Sequence, residues 1–85
     1  MRARIFTRSL PAVRKYSVMI AGHRTSVSLE PEFYAELRRL AADEKTSVSE
    51  LITKIDADRT GGLSSALRLY VLAALKREIK AKISG

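Results

Sequence analysis

The residues best suited to chemistry stand in one short alternating run, Arg24-Thr25-Ser26-Val27-Ser28-Leu29. Successive side chains of a strand point to opposite faces, so Arg24, Ser26 and Ser28 share one face. The remaining positions are β-branched or apolar and suit a buried layer. A guanidinium group and two hydroxyls can hydrogen-bond to base edges, and a two-stranded ribbon with such a face fits the major groove of DNA. Because one strand cannot form a ribbon alone, the pattern also predicts a second chain.

Few residues of the sequence could form a catalytic or metal-binding site. The one histidine, His23, lies at the edge of the predicted strand, and there is no cysteine. Gly61-Gly62 lacks the spacing of a phosphate-binding loop, and Asp56 and Asp58 have no third ligand in the pattern. We therefore predict that the protein is not an enzyme and that it needs no metal and no cofactor.

The chain is small for a domain that folds alone. With 85 residues it buries a modest fraction of its surface, and without cysteines no disulfide can compensate. A core shared between copies is the remaining route to stability, so we predict a homodimer and leave a higher oligomer open. The lack of cysteine is compatible with a reducing compartment, and we predict a cytoplasmic location.

Positive charge is concentrated at the two ends of the sequence. The net charge is +7 at pH 7; residues 1–24 contain six bases and no acid, whereas residues 25–62 contain eight acids and five bases. A basic N-terminal segment on a nearly balanced body is typical of proteins that bind nucleic acid. Pro11 interrupts any helix in residues 1–15, which we predict to be a flexible basic arm. Its bases are candidates for contacts to DNA phosphates: Arg2, Arg4, Arg8, Arg14 and Lys15.

No segment is predicted to cross a membrane or to direct secretion. The longest apolar-rich run, Leu69–Leu75, is far shorter than the roughly 20 residues of a membrane-spanning helix. Residues 1–15 lack the continuous apolar stretch of a signal peptide. Their arginines and lack of acids also fit a mitochondrial-type presequence, but the basic character continues into the strand and favours an arm that contacts DNA.

Residues 16–85 are predicted to form one domain that positions the alternating run. Tyr16–Ile20 is strand-like, and Ala21-Gly22 separates it from the strand predicted over 23–29. These two residues form either a tight turn that pairs the two segments or a kink in one long strand. Alanine at the first central position of a two-residue turn resists the positive φ that such turns need. We identify no internal repeat in the sequence.

Two amphipathic helices are predicted after the strand. Pro31 suits the first turn of a helix, and apolar residues at helical spacing predict a helix over 31–44. Ser47-Val48-Ser49-Glu50 has the pattern of a capping box, in which the Ser47 and Glu50 side chains each accept a hydrogen bond from the other residue's N–H. The second helix is therefore predicted over 47–57.

A third helix is predicted after a loop at Gly61-Gly62, because two adjacent glycines rarely lie within a helix. Its apolar positions predict a helix over 63–81. Leu69 and Leu72 lie outside its main apolar stripe, so the helix is apolar on more than one side, which favours burial on two sides.

This order of elements resembles the ribbon-helix-helix family of bacterial and phage DNA-binding proteins, the type that includes Arc and MetJ. The resemblance covers about residues 23–57. It rests on the strand His23–Leu29, on the apolar positions Phe33, Leu37, Leu40 and Ala41, and on Ser47-Val48-Ser49-Glu50-Leu51-Ile52. The longer sequence resembles a short bacterial subgroup of the family.

The resemblance implies a fold that is α+β and mostly α. In this family one strand from each chain of a homodimer pairs into an intermolecular, two-stranded antiparallel ribbon. The break at Asp58–Gly62 and the additional C-terminal helix depart from the family pattern. That helix could complete the core, extend the dimer interface or bind another protein.

The resemblance also implies roles for individual residues. The base-reading positions correspond to Arg24, Ser26 and Ser28. The N-terminus of the second helix would hold a DNA phosphate through Ser47, Val48 and Ser49, with Lys45 in the preceding loop. The predicted dimer core comprises Val27, Leu29, Phe33, Leu37, Leu40, Leu51, Ile52, Ile55, Leu67 and Val71.

The leading hypothesis is a sequence-specific transcriptional regulator, expected to be a repressor, whose partner is double-stranded DNA. One alternative is an antitoxin, in which the C-terminal helix would bind a toxin. Another is a helical interaction protein without DNA affinity, whose basic arm would bind an acidic partner. Solution mass with and without duplex DNA would test the dimer and the DNA partner together, and a small toxin-like reading frame beside the gene would favour the antitoxin.

Overall fold

The computed structural model describes residues 12–84, which form a two-stranded antiparallel ribbon followed by three helices. The elements are β1 (Arg14–Ile20), β2 (His23–Leu29), α1 (Pro31–Asp43), α2 (Val48–Asp58) and α3 (Leu63–Ser84). This arrangement confirms the predicted fold class: α+β, mostly α, with an additional C-terminal helix.

A two-residue turn joins the two strands. Ala21 and Gly22 both have positive φ, 51° and 84°, as in the type I′ turn that suits the right-handed twist of a hairpin. The register runs from Arg14 opposite Leu29 to Ile20 opposite His23. The sequence left open a tight turn that pairs the two segments or a kink in one long strand. The structure has the tight turn.

The ribbon lies within one chain. The resemblance implied that β2 would pair with the β2 of a second chain, but here β1 of the same chain is its neighbour. Arg14 and Lys15 belong to β1 and not to the arm, because Leu29 and Ser28 of β2 pair with them. The rest of the predicted arm, residues 1–11, lies outside the described residues.

The helix boundaries follow from local hydrogen bonds. α1 begins at Pro31 and ends at Asp43, one residue before the predicted end, because the chain turns at Lys45 with φ of 58°. α2 begins one residue after its N-cap, Ser47, and runs to Asp58. α3 continues to Ser84, three residues past the predicted end, since residues 82–84 contain no helix breaker.

The core is formed where the inner face of the ribbon meets the three helices. Its largest fully buried side chains come from β2 and from every helix: Leu29, Leu37, Leu51, Ile52, Leu67 and Val71. Nine of the ten residues predicted for the dimer core are buried within this single chain, and Phe33 is half-buried against them. Their role between two chains stays a prediction.

Side-chain contacts fasten the ribbon and α3 to α1. The rings of Tyr16 and Tyr34 stack with centroids 3.9 Å apart. The Arg39 guanidinium donates to both carboxylate oxygens of Glu78, at 3.1 and 3.2 Å. Arg68 donates to the Glu30 carboxylate at 2.9 Å, which lowers the pKa of that carboxyl group. Partly exposed ion pairs of this kind add little stability each, and the bidentate geometry of Arg39 with Glu78 chiefly fixes orientation.

Across residues 12–84, no helix combines the length and the apolar character that crossing a bilayer requires. Within the same residues, no three potential ligand side chains come together as a metal site would need.

Candidate nucleic-acid interface

The face of the ribbon turned away from the helices is polar and basic. On β2 it carries Arg24 and Ser26, which are exposed, and Ser28, which is half-buried. The apolar residues of the opposite face, Val27 and Leu29, are 3% and 0% exposed. Burial of this inner face fixes the register, because a slip by one residue would turn every buried side chain outward.

The outward face of β1 completes this surface. Lys15 lies opposite Ser28, Ser17 opposite Ser26, and Met19 opposite Arg24. All three β1 residues are exposed. The surface therefore presents six side chains from two strands, of which two are cationic and three are serines.

The N-terminus of α2 lies beside the free edge of β1. The Met19 N–H donates to the Ser49 hydroxyl at 3.4 Å, and this contact links residues thirty positions apart. A helix N-terminus carries partial positive charge and amide groups without intrahelical acceptors. An anion at the margin of the ribbon would therefore meet these amides.

The predicted capping box is present at this N-terminus. The Glu50 N–H donates to the Ser47 hydroxyl at 3.0 Å, and the Ser47 N–H donates to the Glu50 carboxylate at 3.2 Å. The Thr46 hydroxyl also donates to that carboxylate, and this bond is the main reason why the pKa of Glu50 is lowered. The box uses the amides of Ser47 and Glu50, and it leaves those of Val48 and Ser49 for an external acceptor.

Lys45 occupies a backbone position that ordinarily favours glycine. The Thr46 N–H donates to the Ala41 carbonyl and the Lys45 N–H donates to the Ala42 carbonyl, at 2.9 and 3.0 Å. These bonds form a Schellman motif, whose left-handed residue is usually glycine. Here it is an exposed lysine with φ of 58°, two residues before the N-cap of α2. A strained cation at the margin of a candidate anion site suggests a functional reason for the lysine.

Substitution Lys45→Gly is expected to raise stability and to weaken DNA binding. The free energy of unfolding should rise by about 1 kcal/mol, because glycine adopts a left-handed backbone without the steric cost borne by lysine. If Lys45 contacts a phosphate, affinity should fall by the same factor for all duplexes. The slope of log K against log salt concentration should become less negative by about 0.9. Urea unfolding and fluorescence anisotropy would measure the two effects.

A second variant, Lys45→Asn, separates charge from backbone strain, since asparagine tolerates the left-handed region better than most residues. Its affinity should match that of Lys45→Gly. Unchanged affinity in both variants would remove Lys45 from the interface.

The structure brings only some of the sequence-predicted site residues together. Arg24, Ser26 and Ser28 share the outward face with Lys15, which the sequence had assigned to phosphate contacts. Arg14 lies on the opposite face of β1 together with Tyr16, because successive side chains of a strand point to opposite faces. Arg2, Arg4 and Arg8 lie outside the described residues.

Sequence reasoning missed the contribution of β1 to the outward face. It did not place Lys15 beside the predicted base-contact residues of β2, and it did not single out Ser17 or Met19. A signal for it was present. Residues 14–20, RKYSVMI, align without a gap with residues 23–29, HRTSVSL. Two of the seven aligned positions are identical, Ser17 with Ser26 and Val18 with Val27, and Lys15 aligns with Arg24.

Comparisons with known proteins agree with this architecture. The sequence matches the ribbon-helix-helix domain family over residues 13–75. The chain is similar to the solved structure of an uncharacterized protein from Bordetella pertussis Tohama I, with 25% identity and a TM-score of 0.73. The similarity covers 93% of this chain and 70% of that one. None of the curated proteins matches the chain. The match over residues 13–75 includes the ribbon and most of the three helices, and the chain belongs to the ribbon-helix-helix family.

Proposed function

We propose that this protein is a sequence-specific DNA-binding transcriptional regulator, acting as a repressor in the cytoplasm of a bacterium. The observation that carries the proposal is the outward face of the ribbon, which is polar and basic, whereas Val18, Ile20, Val27 and Leu29 of the opposite face are buried. A two-stranded ribbon fits the major groove of DNA, where each base pair presents a different hydrogen-bonding pattern. The proposal assigns no catalytic role.

Two kinds of contact are assigned to the described residues. Arg24 can donate two parallel hydrogen bonds to guanine, and Ser26 and Ser28 can donate to or accept from several bases. The free amides of Val48 and Ser49 would hold a phosphate at the margin of the groove, where the helix dipole favours negative charge. Base contacts of the first kind specify the sequence, and phosphate contacts of the second kind set the register.

The direct test begins with selection of duplexes from a random library, followed by anisotropy measurements at several salt concentrations. We expect one enriched sequence that binds at least about a thousandfold more tightly than unrelated DNA at the same salt. Failure to bind any duplex at low salt would contradict the proposal and favour the helical interaction protein.

The basic arm is expected to supply affinity without specificity. Replacing Arg2, Arg4 and Arg8 with alanine should weaken binding to the selected and unrelated duplexes by the same factor. The slope of log K against log salt should flatten by about 0.9 for each phosphate that the arm no longer neutralises.

The matched control for the arm removes three cations from the C-terminal part of α3, by replacing Arg77, Lys80 and Lys82 with alanine. We expect this variant to retain the salt slope. Equal reductions of affinity in both triple variants would show that only total charge matters and would contradict a specific role for the arm.

We also propose a homodimer whose contact lies on the outer side of α3. This side carries four large exposed side chains, Leu69, Leu72, Ile79 and Ile83, which are 47–80% exposed. Their spacing of three, seven and four residues places them on one face of the helix and follows a heptad pattern. The same pattern places Lys76 in the middle of the face, where a polar residue sets the register between two helices.

Light scattering over a range of concentrations should show a dimer for the natural chain and a monomer for Leu72→Glu. The variant buries an uncompensated carboxylate if the face is an interface. The control Ala81→Glu adds the same charge to an exposed position on another side of α3 and should leave the dimer intact. A natural chain that stays monomeric at every concentration would contradict the proposed dimer.

A further inference from the structure

A cavity of about 570 Å³ lies between the end of α2, the loop at residues 59–62 and the start of α3. Its volume is within the range of pockets that bind small organic molecules, which are lined mainly by apolar side chains and by a few polar groups. The lining comes from α2, the loop and α3, so the cavity lies apart from the ribbon. Neither the proposed DNA contacts nor the proposed dimer contact accounts for it.

The floor of the cavity is apolar and is held in place by the core. Leu51 is fully buried and Ile55 is 9% exposed, so core packing sets the positions of both side chains. The Tyr70 hydroxyl donates to the Glu44 carboxylate at 3.1 Å, which fixes the ring. Leu69 of α3 also lines the cavity and is 62% exposed. An apolar group of a ligand would therefore meet a preformed surface.

The polar end of the cavity combines a carboxylate with a guanidinium from adjacent residues. Asp58 is exposed, and within residues 12–84 its carboxylate pairs with no cation. Arg59 donates from Nε to Asp56 at 2.7 Å and from Nη1 to the Gly61 carbonyl at 2.5 Å. These bonds use two of the five N–H donors of the guanidinium and fix the orientation of the others. A ligand would meet an unpaired acceptor beside oriented donors.

The third charged side chain of the lining is already paired. The Lys54 ammonium lies 3.5 Å from the Glu44 carboxylate. The charged groups that remain for a ligand, Asp58 and the unused donors of Arg59, have opposite signs. The helix ends add to this separation of charge, because the last carbonyls of α2 are partially negative and the first amides of α3 are partially positive. A ligand complementary to this end carries both an ammonium and a carboxylate.

Two adjacent glycines keep the polar end of the cavity open. Gly61 and Gly62 do not have the positive φ that favours glycine, and a Cβ added to either would meet no atom within 4 Å. Glycine loses more conformational freedom on folding than any other residue. Neither backbone conformation nor packing explains the pair, whereas a site that must admit a ligand beside Asp58 and Arg59 does.

We infer that this cavity, formed by one chain, binds an apolar α-amino acid. The ligand's ammonium pairs with the Asp58 carboxylate, its carboxylate accepts from the Arg59 guanidinium, and its side chain lies on the apolar floor. Hydrogen bonds between charged groups are stronger than neutral ones, so recognition depends on both charges of the ligand. The inference does not rest on the proposed DNA binding. Leu69 also belongs to the proposed dimer face, so the site adjoins that face.

NMR spectra of the full chain test the ligand class with L-phenylalanine and two analogues that each lack one charged group. We expect phenylalanine to shift the amide resonances of residues 58–62. The analogue 3-phenylpropionate lacks the ammonium and 2-phenylethylamine lacks the carboxylate, so each should bind at least about tenfold more weakly. Equal affinity for the three probes would show an apolar pocket that does not recognise a zwitterion, and would overturn the inference. Absence of binding by phenylalanine, leucine and tryptophan at millimolar concentration would overturn it as well.

Two variants of exposed residues assign the two charged contacts separately. Asp58→Asn should lower the affinity for phenylalanine about tenfold and should not weaken binding of 3-phenylpropionate. Arg59→Gln should lower the affinity for phenylalanine by a similar factor and should not weaken binding of 2-phenylethylamine. The control Arg38→Gln removes the same charge from an exposed position of α1, outside the cavity, and should bind phenylalanine as the natural chain does. Unchanged affinity for phenylalanine in both site variants would contradict the assigned contacts and overturn the inference.

The variant Leu72→Glu separates this site from the proposed dimer. Leu72 does not line the cavity, so the affinity for phenylalanine should be unchanged in this variant. Loss of binding would show that a second copy completes the site, and would overturn the claim that one chain forms it. A natural chain that binds phenylalanine but no duplex would contradict the proposed function and leave this inference in place.

Discussion

Replacing Leu29 with alanine is expected to lower the free energy of unfolding by about 2–5 kcal/mol. Leu29 is fully buried at the end of β2, where the inner face of the ribbon meets the core of the helices. Its removal leaves a cavity between elements that are far apart in the sequence and cannot all shift to fill it. A domain of this size has a total stability of the same order, so a large fraction of the variant should be unfolded at about 37 °C.

Circular dichroism during urea unfolding measures this effect, and Val13→Ala is its control. Val13 immediately precedes β1 and is 51% exposed, so its truncation should change stability by less than about 0.5 kcal/mol. If Leu29→Ala unfolds at the same urea concentration as the natural chain, the ribbon does not share a core with the helices.

The strand, the first two helices and their buried faces could be predicted because each has a strong local signal. Pro31 begins a helix, and the serine and glutamate of the capping box begin the next. Alternation along residues 24–29 separated the outward serines from the buried Val27 and Leu29. These signals depend on a few neighbouring residues, so they can be recognised from the sequence alone.

The partner of β2 could not be predicted from the same local signals. An alternating strand shows that it needs a neighbour but does not show whether this neighbour belongs to the same chain. The decisive turn has alanine at a position with φ of 51°, where asparagine or glycine would have indicated a hairpin. Burial of Val18 and Ile20 against the helices outweighs the local cost at Ala21.

The edges of the ribbon were equally hidden in the sequence. Ser49 and Ser64 look like ordinary residues of the first turn of a helix, and only tertiary packing brings them to Met19 and Ser28. The capping box at Ser47 could be predicted as a helix start, but not its position beside β1. Contacts between residues thirty or more positions apart have no signature in a single sequence.

Replacing Arg24 with alanine is expected to cost about 1–3 kcal/mol of binding free energy at the selected duplex, or about 5- to 150-fold in affinity. Arg24 is exposed on the outward face and stands at one corner of the ribbon, opposite Met19. A bidentate contact to guanine disappears with the guanidinium, and no neighbouring side chain on that corner can replace it. The loss should be confined to the duplex that carries the preferred base at one position, so that binding to duplexes already mutated there changes little.

Two further variants separate base reading by Arg24 from simple loss of charge. Arg24→Lys retains the cation but not the planar pair of donors, so most of the affinity lost at the selected duplex should stay lost and base preference should stay relaxed. Arg38→Ala removes the same charge from an exposed position of α1, outside the ribbon, and should leave base preference unchanged. Anisotropy titrations at one fixed salt concentration, with the selected duplex and its single-base variants, distinguish these results. If Arg24→Ala weakens binding to every duplex by the same factor, Arg24 contacts a phosphate, and the reading surface must be assigned to other residues of the ribbon.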